Sequence, residues 1–340
     1  MEIIVPAAGL STRFPGMRPK YSLTDHSGNM MIERAIAPYI GNYPITIGFL
    51  GENHLLYPIS AYLLNKYGKE NLDIVILPER TQGPADTVMQ IFDRADIPEG
   101  PVLIKDCDSF FEHDELEGNY ICTTDIADHD VLKRLGSKSF VKYKGTTVAG
   151  IVEKRIVSDR FCVGGYHFAS KSDFEHAFRT LDKAGYQEIF VSNIIQYCID
   201  LGHTWQTNKV RNYVDVGTAE DWHEHNDLSV IFCDIDGTII QAQARGEFGD
   251  PMTPLVKNCT LIQNLVEQGH QLIFTTARPF EQHTQLTAQL HELGFKNFKL
   301  ITGLMNVKRV LINDYNHANP YPRAIAINLP RDSDTLGDFL

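Results

Sequence analysis

Two pairs of aspartates one residue apart each directly follow an apolar run. Asp106 and Asp108 follow "VLIK", and Asp234 and Asp236 follow "VIFC". Side chains at i and i+2 of an extended segment share a face, so each pair presents hard oxygen donors to one point. In the second pair the two acids can divide the work of phosphoryl chemistry. Asp234 can attack phosphorus while Asp236 protonates the leaving group. A divalent cation has to stand between an anionic nucleophile and an anionic phosphate, and Mg2+ is the expected ion. The same residues would also make a metal-binding turn without chemistry. The complementary charge lies near the N-terminus, where "VPAAGLSTRFPGMRPK" passes from an apolar run through small residues to Arg13 and Lys20. Along Ala7, Ala8, Gly9, Leu10, Ser11 and Thr12 a mostly small-residue loop lets phosphate approach backbone N–H groups. Arg13 and Lys20 add full charges that can neutralise a triphosphate and its departing pyrophosphate. A strand-to-helix turn with surface cations would read alike.

Positioning such groups takes rigid elements. Apolar runs at 2–5, 45–49, 73–77, 102–105, 230–233, 271–275 and 309–312 predict buried strands. Helix-like stretches at 31–39, 54–67, 85–94, 255–268 and 280–293 fall between many of them. Strands alternating with helices predict parallel sheets with helical crossovers. Residues 120–170 are richer in β-type residues and turn pairs, which predicts a mixed or antiparallel insertion. A polar run at 220–229 precedes a fresh apolar strand, which places a boundary near Asn226–Leu228, with domains 1–226 and 228–340. So short a linker predicts domains packed closely rather than tethered loosely.

The chain of 340 residues, 43% hydrophobic and 22% charged, has ordinary globular composition and room for two domains. A net charge of −12 argues against nucleic acid and anionic membranes as partners, while leaving room for a small anion in a local cationic pocket. No apolar run approaches the roughly 20 residues of a membrane span, and no signal peptide is evident, so a cytoplasmic location is expected. Six scattered cysteines without a CxxC pair fit unpaired thiols. Cys107, between two acids on an extended segment, should point away from them. "HEH" at 223–225, "QGHQ" near 270, and Trp205 and Trp222 read as surface or packing residues.

The N-terminal loop resembles that of the sugar-phosphate and alcohol-phosphate nucleotidyltransferases, broadly G-x-G-x-R-x(n)-P-K, with alanine in place of the first glycine. Further segments follow in the family's order: "TQGPADTV" (81–88), "VLIKDCDSFF" (102–111), "IVEKR" (151–155), "VGGYHF" (163–168) and "YVDVGTAEDW" (213–222). The resemblance is nearest to capsule-cluster enzymes of the BcbE-like type. It implies a GT-A-type α/β fold and transfer of a nucleoside monophosphate from CTP, UTP or dTTP to a sugar or polyol phosphate, releasing pyrophosphate. By it, Ala7–Thr12 bind the triphosphate, Arg13 cradles its β- and γ-phosphates, and Lys20 stabilises the α-phosphate. Gln82 and Gly83 recognise the base. Asp106 and Asp215 hold Mg2+, with Asp108 as a further candidate. Glu153, Lys154 and Gly165 bind the acceptor.

The C-terminal half resembles the haloacid dehalogenase-like (HAD) superfamily, whose first motif is D-x-D-G-T. By that resemblance Asp234 and Asp236 are catalytic and bind Mg2+, Thr276 of "IFTTAR" and Lys308 bind the phosphoryl group, and Asp314 of "RVLIND" binds the metal. The last motif often has paired acids; here Asn313 precedes Asp314. About 35 residues separate the first two motifs, too few for a large cap, so the site should be open or covered by its neighbour domain. This half is similar to BcbF-like capsule phosphatases. The expectation is a bifunctional enzyme of two Rossmann-like α/β domains, with room for a homodimer. Two rivals remain: a transferase with a degenerate HAD module serving ligand binding or dimerisation, and a nucleotide sensor without turnover.

Overall fold

The computed structural model describes residues 1–128, 135–244, 246, 248, 251–313 and 324–339. It divides into two compact units, Met1–Asn226 and Asp227–Leu340.

The first unit is built on a nine-stranded mixed sheet. Strands β1 (Glu2–Ala7), β2 (Ile45–Leu50), β3 (Leu72–Leu77) and β4 (Val102–Lys105) pair in parallel in the order β3-β2-β1-β4. The runs of β1, β2 and β4 are nearly continuous in apolar residues because both faces are buried, while β3 leaves Asp73 and Ile76 exposed. On β1, Ile4 packs with Val88 and Ile91 on one face, while Ile3 and Val5 pack with Ile32 and Ile36 on the other. Helices α1 (Met31–Ile36), α2 (Gly51–Leu56), α3 (Ser60–Tyr67) and α4 (Pro84–Phe92) supply the crossovers. The continuous helix expected over 54–67 is broken, because Pro58 removes an N–H donor and holds Tyr57 at φ −134°, outside the helical region.

Beyond β4 the sheet is mixed, antiparallel except where β6 and β10 run parallel, as the composition of 120–170 predicts. β5 (Ser109–Glu112) leaves the main sheet. β6 (Asn119–Asp125), β7 (Phe140–Lys144), β8 (Thr147–Val152), β9 (Arg160–Phe168) and β10 (Trp205–Lys209) complete it in the order β4-β9-β6-β10-β8-β7. Helices α5 (Lys171–Thr180) and α6 (Val191–Asp200) precede β10. β11 (Arg211–Asp215) pairs antiparallel with β5, setting Asp215 opposite Ser109. Helix α7 (Ala219–Asn226) closes the unit.

The second unit holds a parallel three-stranded sheet: β12 (Val230–Asp234), β13 (Gln271–Thr275) and β14 (Phe298–Ile301), with α8 (Val256–Glu267) and α9 (His283–Glu292). Its core gathers Ile235, Ile239, Ile262, Phe274, Leu286 and Leu290. Among the described residues between β12 and α8 no strand or α-helix forms, which matches a minimal cap. The strand expected at 309–312 does not form. That run has a strand's composition, but it pairs with no strand of the sheet, and Val310, Leu311 and Ile312 stand 69%, 55% and 91% exposed. Among the described residues no helix is long and apolar enough to cross a membrane.

Candidate functional site

β1 and β4 are parallel neighbours, so loop 8–22 and the turn after Lys105 emerge at one edge of the sheet. Phe14 and Tyr21, 2% and 1% exposed, anchor the loop in apolar clusters while Thr12 and Arg13 stay exposed. Ser11 lies at φ +54°, a left-handed conformation uncommon for a non-glycine residue, and its Oγ accepts the backbone N–H of Lys20. That bond brings the two ends of the loop together and sets Lys20 beside the turn.

The charges then meet. Lys20 Nζ lies 2.6 Å and Arg13 Nη2 3.3 Å from the same oxygen of Asp108, Oδ2. Asp215 is bonded to Lys138 Nζ, which also donates to the Tyr213 hydroxyl at 3.3 Å. A Cβ placed on Gly217 would lie 3.1 Å from Asp215 Oδ1, 3.3 Å from Asp108 Oδ2 and 3.4 Å from Arg13 Nη1, so all three groups crowd one glycine. Asp106 borders Gly164, which sits at φ +84°. A Cβ there would come within 2.6 Å of Asp106 Oδ2.

Burial works against ionisation of both acids, but unequally. Asp108 is held well below the usual carboxylate range because Lys20 and Arg13 outweigh its desolvation. Asp106 is raised to about 6 by burial and by its repulsion with Asp108, with Lys105, Lys20 and Lys138 opposing. Beneath the turn, Lys105 is wholly buried. Its ammonium donates to the carbonyls of Asp106 and Ser109, both at 2.6 Å, and to Ser109 Oγ at 3.0 Å, and it faces the Phe111 ring at 4.5 Å. All three donors are used, and the turn between β4 and β5 is thereby knotted. Burial pulls this ammonium down to about 8, against the fields of Asp106 and Asp108. Cys107, between the acids, is 3% exposed, and burial pushes its thiol up to about 11.

The remaining expected residues fall around this cluster in different ways. Gly83, at φ +115°, opens α4, and a Cβ would strike Ile189 O at 2.7 Å. Gln82 is pinned by its carbonyl to Ile189 N and by its side chain to Tyr186 O. Glu153 accepts hydrogen bonds from the hydroxyls of Ser139 and Ser192. Lys154, at φ +52°, lays its ammonium 4.5 Å from the Phe190 ring centre. Gly165 is turned inward, its absent side chain directed at Phe111 and Cys122. The neighbouring Gly164 is the one that abuts Asp106.

In the second unit Asp234 ends β12 and Thr276 follows β13. Asp234 Oδ1 lies 3.1 Å from Arg309 Nη2, and both side chains are more than 40% exposed (41% and 49%). Burial raises the Asp234 carboxyl, with Arg309 opposing and Asp236 adding to the rise. Asp236 is gripped at both oxygens by Arg278: Nη2 at 2.6 Å from Oδ1 and Nε at 2.9 Å from Oδ2. Arg278 is 2% exposed, also donates to Gln243 Oε1 at 2.8 Å, and stacks on Phe248 at 4.6 Å. Thr276 Oγ1 accepts the Arg278 N–H at 3.1 Å and lies 3.5 Å from Asp236 Oδ2. Lys308 is exposed. Asp314 lies outside the described residues.

Comparison with known proteins separates the halves. Residues 231–304 match the family model of the haloacid dehalogenase-like hydrolases. A nucleoside-diphosphate-sugar pyrophosphorylase from Vibrio cholerae RC9 is similar in fold over 66% of this chain and 98% of its own, with TM-score 0.56 and 20% identity. An inositol-1-phosphate CTP transferase from T. maritima is similar over 65% and 90%, with TM-score 0.50 and 15% identity. No curated protein matches the chain in sequence. The chain joins a nucleotidyltransferase fold to a HAD-like segment.

Three residues of these two units escape a reading by spacing. In the nucleotidyltransferase-fold unit they are Lys105 and Lys138, each of which the fold brings to the carboxylates. In the HAD-like unit it is Asn258, fully buried. Its side chain donates to Thr238 O at 2.8 Å and Ser333 O at 2.9 Å and accepts from Leu336 N at 3.0 Å, which ties the Asp236–Ile240 turn to the C-terminal segment. Alternating "TTAR" does hint at Arg278, because Thr276 and Arg278 share a face. Each unit offers carboxylate oxygens of the kind Mg2+ takes, Asp106 and Asp215 in one, Asp234 and Asp236 in the other. Among the described residues no three acidic, His or Cys groups converge on one point.

Proposed function

We propose that the first unit transfers a nucleoside monophosphate from CTP, UTP or dTTP to a phosphorylated sugar or polyol, and that the second hydrolyses a phosphomonoester. The meeting of Arg13, Lys20 and Lys138 with Asp106, Asp108 and Asp215 at one sheet edge carries the first half of this reading. A transfer between two anions needs little covalent chemistry from the protein; it needs position and charge. An acceptor phosphate oxygen forms a bond to the α-phosphorus as the bond to the β-phosphate oxygen breaks, and pyrophosphate leaves with that electron pair. Lys20 and Arg13 bear the triphosphate's charge. Glu153 and Gly83 shape the acceptor and base sides. Mg2+, when bound, would screen the two phosphates from each other. In the second unit Asp234 would attack phosphorus as the ester P–O bond breaks, Asp236 would protonate the departing oxygen, Thr276 would hold a phosphoryl oxygen, and water would then hydrolyse the acyl phosphate. On the resemblance to capsule-cluster enzymes, the pair is read as serving cytoplasmic supply of surface-polysaccharide precursors. The second unit must then act on a different phosphate or on an earlier intermediate, or it would destroy the first unit's acceptor.

A screen of four NTPs against phosphorylated sugars and alcohols, with pyrophosphate detection, tests the transferase. Release in the parent that vanishes in Lys20→Ala is the expected result. One observation favours a second reading for the HAD-like unit, as a binding module without turnover: Arg278 already occupies both oxygens of Asp236. Phosphatase activity that disappears in Asp234→Asn eliminates that reading.

A further inference from the structure

The transfer has to seat two phosphates against each other, and the cations are unevenly shared. Arg13 and Lys20 both point at Asp108 Oδ2, on the side of the small-residue loop. The lysine expected for the acceptor, Lys154, is spent on the face of Phe190. Across the cluster stands Lys138. Its side chain is 16% exposed, it is bonded to Asp215, and its charge acts on both Asp106 and Asp108. The turn that carries it is anchored from both sides. Leu135 is buried, and Ser139 donates to Glu153. Gly136 and Ser137, immediately before it, line a cavity of about 600 Å3 together with Arg13, Pro15, Thr218, Ala219 and the acidic Glu220. That volume suits a phosphorylated sugar. A partly buried ion pair is a poor source of stability, since desolvation offsets its attraction. A lysine held there on a single carboxylate, beside a cavity, is poised to change partners.

We propose that Lys138 binds the acceptor's phosphate, exchanging Asp215 for a phosphate oxygen when the cavity fills. The ammonium stays protonated throughout and takes no part in bond making. Asp215 is thereby released to face the centre of the cluster. This inference rests on the transferase reading for its meaning, though its binding step stands by itself.

Two measurements test it on the full chain. The first is steady-state pyrophosphate release with the best NTP and acceptor pair. Lys138→Gln should raise the acceptor KM by about tenfold or more and leave the NTP KM within about twofold, and Lys138→Arg should recover most of the loss. The second is calorimetric titration of inorganic phosphate onto protein holding an NTP analogue with a non-cleavable α–β bridge. Lys138→Gln should weaken phosphate by about tenfold, and Lys154→Ala by less than Lys138→Gln does. Unfolding midpoints confirm that the variants fold. An acceptor KM and phosphate affinity that Lys138→Gln leaves unchanged, or a larger loss in Lys154→Ala, would overturn the assignment. So would a parent that binds no phosphate. If the parent binds phosphate through Lys138 yet releases no pyrophosphate with any pair, the transferase reading fails while the phosphate site stands.

Discussion

Asp106–Asp108 and Asp234–Asp236 share a spacing, yet the fold surrounds them differently. The first pair is enclosed: Lys105 is locked beneath the turn, Lys20 and Arg13 lie on Asp108, and β11 delivers a third carboxylate through its pairing with β5. The second pair is divided. Asp234 meets a solvent-exposed arginine, and Asp236 meets a buried one. An i, i+2 pair therefore guarantees a shared direction and nothing about protonation. Which acid is neutralised, and by what, is decided by residues far away in sequence.

The sharpest way to break the comparison is to silence one site at a time. Lys20→Ala removes the buried cation from Asp108 and the charge offered to a triphosphate. Pyrophosphate release should fall by about 100- to 1,000-fold while phosphatase activity persists. Asp234→Asn should do the reverse, with phosphatase activity lost by about 1,000-fold or more and nucleotidyl transfer retained. Paired assays on both variants check this. If either substitution abolished both activities, the two carboxylate pairs would not be independent sites.

Stability separates the sites next. Arg278→Gln leaves Asp236 without its bidentate partner and empties the face of Phe248. The HAD-like unit should lose about 3 kcal/mol, because the guanidinium is buried and its hydrogen bonds are not replaced. Removal of Arg309, whose pair with Asp234 lies in solvent, should cost less than about 1 kcal/mol. Denaturant melts of the two variants give the ratio, and equal losses would erase the distinction drawn between buried and exposed partners.

A smaller effect probes how tightly the first cluster is packed. Gly164→Ala sets a Cβ 2.6 Å from Asp106 Oδ2 in a backbone conformation of φ +84°, which costs an L-residue roughly 1–2 kcal/mol. Asp106 has to move, and transfer should slow by about tenfold. Gly165→Ala, directed at Phe111 and Cys122, should lower stability instead. Comparing rate and melting midpoint in the two variants distinguishes the glycine that faces the chemistry from the one that faces the core.

Much of this was legible in the sequence for a physical reason. Buried parallel strands must be continuously apolar, so β1, β2 and β4 could be found from composition; β12 and β13 show the same apolar run, although Val230 and Phe232 of β12 are exposed. Loop chemistry and i, i+2 acids then mark where those strands end. What stayed hidden has long-range causes. The run at 309–312 looks like a strand because composition cannot say whether a partner strand will be there. Helix 54–67 looked continuous because amphipathic spacing masked the cost of Pro58. Lys138 reads as an ordinary lysine, and only the closing of the 135–139 turn against Asp215 gives it that neighbour, whereas Lys105 is held within its own turn by Asp106, Ser109 and Phe111. Gly164 and Gly165 are identical in sequence, and the pleat alone decides which one meets Asp106.

Acid should also distinguish the units, by the smallest and most gradual effect. His167 on β9 is 6% exposed, stacks on Tyr120 at 4.4 Å, and makes a 2.9 Å bond from Nδ1 to Gly118 O. Burial lowers it to about 4. The sign follows from where the proton goes. Between its ordinary value near 6.5 and 4, the unfolded chain takes up a proton that the folded chain refuses. Stability from this residue is therefore complete above 6.5 and is lost as pH falls, at up to about 1.4 kcal/mol per unit. Both tryptophans, Trp205 and Trp222, lie in the first unit, and Trp205 packs 4.8 Å from Phe168, beside His167. Tryptophan fluorescence during urea unfolding thus reports that unit. Its midpoint should fall steadily from pH 6.5 to 4.5 in the parent. In His167→Asn, whose amide can still donate to Gly118 O, the midpoint should start lower and fall less steeply. Parallel slopes in the two proteins would mean that some other buried group, His113 among them, carries the acid sensitivity of this unit.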